Sequence, residues 1–383
     1  MQIKRKKPNI VVIHNIVSPH VEPLFKELSK DNNLTVFYCA QKEDNRNWVK
    51  KPVGFKYKIL PNFSLKIKGK DLFTYFINPT IVSELIKINP DVVIVSGWDL
   101  FAYQISFLYC LIKKVKLVIW SGSTNYEPSW RRSISLPFVK FMVRNANAYI
   151  AYGTRSRDYL VKLGAKKDEI FISYNTTNVI AYINDIDSQK RNIIKTRLGL
   201  TNKKVILYYG QIIDRKGVDV LVKAFDIVHS KIKNSTLLLI GDGDSVNRIK
   251  FLINKLKIDN VVILPDVGDN KMVEYYKLAD VFVLPSREEV WGLVVNQAMA
   301  SSLPVIVSNS VGSGVDLVKN FKNGFIFDTD NVVDLAKKIY YVLTDEERRI
   351  KMCKCSSQFI LNLQPNKTVV NFNNAIKYVE NEK

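Results

Sequence analysis

The sequence predicts an α/β protein of two doubly wound parallel-sheet domains, and three observations predict it. Short runs of β-branched and apolar residues recur along the chain and mostly lack polar alternation, as strands buried on both faces do. Intervals between them carry helical spacing, and strand, helix, strand at this rhythm builds parallel sheets covered by helices. At about 100–200 residues per domain, a length of 383 residues suits two such units.

The first series of strands is read at 9–14, 34–38, 92–96, 117–120, 148–152 and 170–174. The second is read at 205–209, 236–240, 261–264, 281–284, 304–308 and 324–327. Between the first two strands of the second series, Val218, Leu221, Val222, Phe225 and Val228 share one face of a helix, with Lys223 and Asp226 opposite. The apolar run 100–112 falls short of the ~20 residues of a membrane span and reads as a buried helix. The basic start, with Lys4, Arg5, Lys6 and Lys7, precedes an apolar run too short for a signal-peptide core. The polar stretch 184–204 reads as the linker, which places the domains at 1–185 and 190–365. Beyond them, Val369, Phe372, Ala375, Ile376 and Val379 form a helical stripe that needs a partner.

Hydrophobic residues at 47% and charged residues at 24% exclude a disordered or fibrous chain. The four cysteines (Cys39, Cys110, Cys353, Cys355) form no CxxC and have only three histidines beside them, which supports neither a zinc site nor a disulfide framework. A reducing cytoplasm is expected. The net charge of +21 favours anionic partners. It is unevenly divided: residues 1–190 carry +14 and the remainder +7. Aromatic residues interleave the basic ones at Lys56, Tyr57 and Lys58, at Lys66, Lys68 and Lys70 before Phe73, Tyr75 and Phe76, and at Trp130, Arg131 and Arg132 before Phe138 and Met142. Such segments suit a solvated surface, or a peripheral contact with an anionic membrane bearing a lipid-linked acceptor.

Open parallel sheets bind ligands beyond the carboxyl ends of their strands, and three strand ends of the second domain are informative. After 205–209 comes Gly210-Gln211-Ile212-Ile213-Asp214-Arg215-Lys216-Gly217, two cations at the start of a helix. Helix-start N–H groups with Arg215 and Lys216 suit a diphosphate, although an exposed basic turn has the same composition. After 236–240, Gly241-Asp242-Gly243-Asp244-Ser245 reads as a tight, capped turn whose acidity disfavours phosphate. The third is Pro285-Ser286-Arg287-Glu288-Glu289-Val290-Trp291-Gly292-Leu293-Val294-Val295-Asn296-Gln297-Ala298-Met299-Ala300. A carboxylate at the strand end and helix-start amides can grip sugar hydroxyls and a phosphate together, and a polar side chain one turn later can reach a ribose.

This third run resembles the donor site of glycosyltransferase family 4, the retaining GT-B enzymes. Those show Pro-Ser, then Glu, seven residues and Glu-Ala-Met-Ala; here Glu289 matches the first Glu and Gln297 stands at the second. The resemblance extends to residues 209–217, 240–243, 264–267 and 277–286, and more thinly to Ser18-Pro19-His20 and 146–153. It implies the GT-B fold, two Rossmann-like domains facing across a cleft, with segment 366–383 completing the first. Position by position, Lys216 matches the lysine that neutralises the donor diphosphate, and Glu289 would bind donor-sugar hydroxyls. The family's arginine after the strand-end Gly210 is Gln211 here, leaving Arg215 as a substitute. Backbone amides around Val290, Trp291, Gly292 and Leu293 would contact sugar or phosphate, Gln297 the ribose, and main chain at Val267 the base. In the first domain, Asn15-Ile16-Val17-Ser18-Pro19 replaces the Gly-Gly loop, and Ser121-Gly122-Ser123-Thr124 stands where many relatives have a histidine. His20 is open to a role in the cleft or to packing, whereas His14 and His229 read as structural.

The resemblance implies metal-independent transfer of a sugar from a nucleoside diphosphate sugar, UDP or GDP, to a saccharide or lipid-linked saccharide, with no permanently bound cofactor. Two other readings compete. A GT-B nucleotide-sugar epimerase would isomerise the donor without an acceptor, and a basic membrane or nucleic-acid binding module would bind no nucleotide sugar. The run from Glu289 to Gln297 speaks against the module, so no nucleic-acid partner is expected.

Overall fold

The computed structural model describes residues 7–43, 52–67, 73–126 and 130–381. The chain divides into two units, Met1–Thr177 with Pro365–Lys383, and Asn178–Gln364. The first carries β1 (Asn9–Ile16), β2 (Asn33–Ala40), β3 (Lys56–Ile59), β4 (Phe63–Ile67), β5 (Phe73–Ile77), β6 (Val92–Val95), β7 (Lys116–Ser121), β8 (Ala148–Ala151) and β9 (Ile170–Ile172). Among the described residues, seven of these form one sheet in the order β3-β2-β1-β6-β7-β8-β9, while β4 and β5 pair as an antiparallel hairpin. All pairings in the larger sheet are parallel.

Both faces of that sheet are buried, because alternate residues of each strand face opposite sides. Val11 and Ile13 of β1 join one core with Val93, Phe107 and Met142. Ile10 and Val12 join the other with Phe25, Trp120 and the stripe Val369, Phe372, Ala375, Ile376 and Val379. That stripe lies on the helix Pro365–Asn381. Phe372 meets Trp120 edge-on at 5.2 Å between ring centres. Ser173 Oγ donates to the Thr368 carbonyl at 2.9 Å, and Asn32 Nδ2 donates to Asn373 Oδ1 at 2.9 Å.

Residues 56–58 lie in β3 and Lys66 in the hairpin; Lys56, Lys58 and Lys66 are exposed, as the solvated-surface reading has them, and Lys58 pairs with Glu84 at 2.6 Å. Lys68 and Lys70 lie outside the described residues, as do the side chains of Trp130, Arg131 and Arg132. The run 100–112 becomes the helix Phe101–Lys113, buried only on the face of Ala102, Tyr103, Ser106, Phe107, Tyr109 and Cys110. Leu108, Leu111 and Ile112 on its other side are exposed.

The second unit carries β10 (Lys204–Tyr209), β11 (Ser235–Ile240), β12 (Val261–Leu264), β13 (Val281–Leu284), β14 (Val305–Ser308) and β15 (Gly324–Phe327). Their order is β12-β11-β10-β13-β14-β15, all parallel, which is the strand order of a doubly wound nucleotide-binding domain. The order reverses between β10 and β13, where Ile206 faces Val281 and Leu207 faces Phe282. Loops leaving these two strands depart to opposite sides and open a crevice. The stretch 184–204, read as a linker, carries the helix Ser188–Arg197, capped by Asp187 and anchored by the buried Ile194. Its polarity is that of a helix with one narrow buried stripe, and it belongs to the second unit.

His14 sits inside β1, where its ring stacks on Trp120 at 5.6 Å and meets Phe25 and Tyr38 edge-on. Its Nδ1 is 2.9 Å from Ser96 Oγ. Burial pushes its pKa from 6.5 down to about 4, so the folded protein holds it neutral. The unfolded chain binds a proton near pH 6.5 and the folded chain does not until near pH 4, so the stability present above pH 6.5 is lost as pH falls towards 4. Between pH 7 and 5 this amounts to about 2 kcal/mol. Urea unfolding of the first unit should lose about that much less over this interval in His14→Phe than in the wild type. Equal pH dependence in both proteins would refute the assignment.

Candidate active site

The site forms where the loops after β10 and β13 meet. After β10 the chain makes the tight turn Asp214–Lys216, ended by Gly217 with φ +64°. A Cβ at Gly217 would fall 2.2 Å from the Pro285 carbonyl oxygen, so only glycine lets this turn seat against the end of β13. Two backbone bonds then lace the loops: the N–H groups of Arg287 and Glu288 donate to the Arg215 carbonyl at 2.8 and 3.2 Å.

Arg287, which the motif reading passed over, fastens this contact. Its Nη1 donates to the Asp214 carbonyl at 2.7 Å, its two terminal nitrogens form a fork on Asp219 at 3.0 and 2.9 Å, and Nε donates to Asp330 at 2.7 Å. The Asp219 hydrogen bonds raise its pKa further above the ordinary arginine value, aided by the charges of Asp219 and Asp330 against the effect of burial.

This lacing brings Lys216 and Glu289 together. Lys216 Nζ donates to Glu289 Oε2, with the side chains only 13% and 15% exposed. Burial alone would raise the Glu289 carboxyl. The Lys216 ammonium and its hydrogen bond, the Arg215 guanidinium and the Trp291 backbone N–H outweigh burial and hold the carboxyl below the usual glutamate range. Arg215 Nη1 also reaches the Glu288 carbonyl at 3.5 Å.

Beyond Glu289 the chain enters the helix Leu293–Ala300 through Gly292, at φ +90°. Trp291 is buried, its indole donating to Asn296 Oδ1 at 3.0 Å, so it offers the site its backbone rather than its ring. The segment is held from behind by the loop after β14: Gly312 N–H donates to the Glu289 carbonyl at 2.9 Å, and Ser313 N–H to the Trp291 carbonyl at 3.0 Å. Val290 is half-buried between them.

The other sequence-predicted residues fall into place around this centre. Gly210 and Gln211 open the loop after β10, and Gln211 is exposed, its carbonyl accepting from Tyr208 at 2.7 Å. Val267 is half-buried in the loop after β12, whose backbone is tied down by Asp242 accepting from Asp266 N–H at 2.9 Å. The acidic turn after β11 thus has a supporting role. Gln297 is 1% exposed, and its Oε1 accepts from the Tyr276 hydroxyl at 3.0 Å. Tyr276 thus takes one of the two lone pairs of that oxygen. In the first unit, His20 Nδ1 lies 3.4 Å from Thr177 Oγ1, and His229 in the second packs on Phe225 near Ser235.

Two parallel doubly wound units with this strand-end site define a GT-B protein. HepE of Anabaena, solved in complex with UDP, superposes with a TM-score of 0.78 at 16% identity, covering 96% of this chain and 99% of that one. Residues 189–357 match the family model of the glycosyl transferases group 1. An uncharacterised glycosyltransferase of Haemophilus influenzae is 28% identical over 213 residues, 55% of this chain and 58% of that protein. The capsular polysaccharide biosynthesis glycosyltransferase CapM of Staphylococcus aureus is 35% identical over 155 residues, 39% of each chain. The chain thus spans between about four- and six-tenths of the length of these curated relatives. Over residues 189–357 the chain is thus similar to the glycosyl transferases group 1, in keeping with the resemblance of its donor-loop motif.

Arg287→Lys keeps the charge but loses the fork. It should destabilise the second unit by about 1–3 kcal/mol in denaturant titration, since hydrogen bonds to charged groups are worth about that much. A midpoint unchanged from wild type would show that Arg287 does not hold the loops together.

Proposed function

We propose that this protein is a retaining glycosyltransferase that moves a sugar from a nucleoside diphosphate sugar to a saccharide or lipid-linked saccharide. The observation that carries the reading is the Lys216–Glu289 pair at the strand reversal, beside Arg215 and the start of the helix Leu293–Ala300. On donor binding the pair exchanges partners: the diphosphate takes Lys216, and the sugar hydroxyls take Glu289. Each charge keeps a partner, so a bare charge is never left in a poorly hydrated site.

Bond cleavage then places negative charge on the departing diphosphate oxygen. Lys216, Arg215 and the amides of Trp291, Gly292 and Leu293 are set to stabilise it, and preorganised groups of this kind supply much of an enzyme's rate. The leaving diphosphate accepts the acceptor's proton as attack proceeds on the same face, so the protein needs no nucleophile. Its cations do the neutralising work that a metal would otherwise do. Gln297 meets the ribose and the main chain at Val267 the base; UDP and GDP both fit this description, and the UDP bound in HepE supports the diphosphate itself.

A panel of nucleotide sugars, assayed with saccharide acceptors and without, tests the proposal. Saturable transfer is expected, and Lys216→Ala should lower turnover by ~10²–10³-fold with the fold intact. Isomerised donor formed without an acceptor would make the protein an epimerase instead, and near-normal turnover in Lys216→Ala would remove that lysine from the mechanism.

We also place the first unit against an anionic bilayer on the cytoplasmic side. No helix among the described residues is long and apolar enough to cross a membrane. Supporting the peripheral reading are the +14 charge of residues 1–190 and the exposed Leu108, Leu111, Ile112 and Phe141, with the exposed Lys113 and Lys114 alongside. All four cysteines are free thiols, in keeping with a reducing compartment. Each Lys or Arg near an acidic surface contributes about 1 kcal/mol, screened by salt. Co-sedimentation with acidic liposomes should be strong at low salt, weak at high salt, and reduced in a Lys113→Ala, Lys114→Ala double variant. A protein that stays in solution with acidic liposomes at low salt is not membrane-bound.

A further inference from the structure

The second unit has a cavity of about 300 Å³ at the end of its sheet opposite the active-site loops. Asp280 immediately precedes β13, and Ser301 to Leu303 lead into β14, so the cavity lies at the amino ends of these strands. Lys216 and Glu289 lie beyond their carboxyl ends. The helix Leu293–Ala300 runs between the two regions, and eight residues of helix span about 12 Å.

Three cations line the cavity, Arg191, Lys277 and Arg349, against two carboxylates, Asp185 and Asp280. Both carboxylates are already engaged. Asp185 pairs with Arg191, while Asp280 pairs with Arg349 and accepts the Val205 N–H at 2.7 Å. Lys277 donates to the Ile183 carbonyl at 3.2 Å. Burial lowers its pKa, with the Arg191 charge adding to that effect and Asp185 opposing it.

Two further donors are unsatisfied. Ser301 is 4% exposed, and its buried hydroxyl makes no hydrogen bond; the buried Nε of Arg191 makes none either. Leaving such groups unmet costs roughly 1–3 kcal/mol each, and both residues line the cavity. One ammonium, a spare guanidinium N–H and a hydroxyl around a small cavity are the groups that bind a tetrahedral oxyanion.

We infer that this cavity is a second binding site, for a small phosphate-bearing molecule, distinct from the donor site. The helix Leu293–Ala300 presents its carboxyl end here, so its dipole opposes an anion and the cations must supply the affinity. Lys277 is therefore the decisive residue.

Titration calorimetry with inorganic phosphate tests this on the full chain. Losing one charge-assisted contact should weaken phosphate about tenfold or more in Lys277→Met, which keeps most of the apolar stem. Ser301→Ala, a smaller change that keeps the test open should Lys277→Met fold poorly, should also weaken it. Lys216→Ala, which removes a diphosphate contact of the donor site at the other end of the sheet, should leave the Lys277-dependent phosphate binding in place. Wild-type affinity in both Lys277→Met and Ser301→Ala, or no phosphate binding by the wild type, would overturn the proposal. So would loss of binding in Lys216→Ala, which would place the anion in the donor loops. The readout is phosphate binding rather than turnover, so it is independent of the glycosyltransferase reading.

Discussion

One ion pair organises the second unit's chemistry: Lys216 against Glu289, largely withdrawn from water where the strand order reverses. Such a pair stabilises only if its geometry is enforced, because two charges taken out of water lose hydration that their mutual attraction must offset. The enforcement comes from three loops. Gly217 lets the lysine's turn reach the end of β13, Arg287 fastens that turn to Asp219 and Asp330, and the loop at Gly312 and Ser313 backs the carboxylate's segment. Backbone bonds between these loops hold the segments that carry the pair, which is what a preorganised electrostatic site requires.

What was legible in the sequence follows from how local each feature is. Parallel strands buried on both faces appear as uninterrupted apolar runs, so the strands of both large sheets were visible wherever they are central. β3 was not, because its lysines alternate with apolar residues at a sheet edge, and the hairpin of β4 and β5 stands apart from the sheet. The helix Ser188–Arg197 passed for a linker because one buried residue, Ile194, is too small a stripe to register.

The same logic applies to the site. Lys216 and Glu289 each announced themselves within a short motif, and the structure brings them into contact. Arg287 lies inside the same motif, yet its purpose depends on Asp219 and Asp330, partners that no local pattern links to it. Gln297 was read for its free oxygen, but that oxygen already accepts from Tyr276, a residue on the preceding helix. Spacing shows which residue types are present, whereas long-range packing decides which of their atoms remain available.

The helix Pro365–Asn381 has a consequence for biosynthesis. It is made after the entire second unit, yet Phe372, Ala375, Ile376 and Val379 cover a face of the first unit's sheet that includes Trp120. While the ribosome makes the intervening unit, on the order of ten seconds at 5–20 residues per second, that face has no lid. The second unit, contiguous in the chain, can fold as soon as it emerges; the first must wait for the last helix. A nascent or prematurely terminated chain would therefore present an apolar sheet face to the cell, which makes it a natural client for chaperones and a target for quality-control proteolysis.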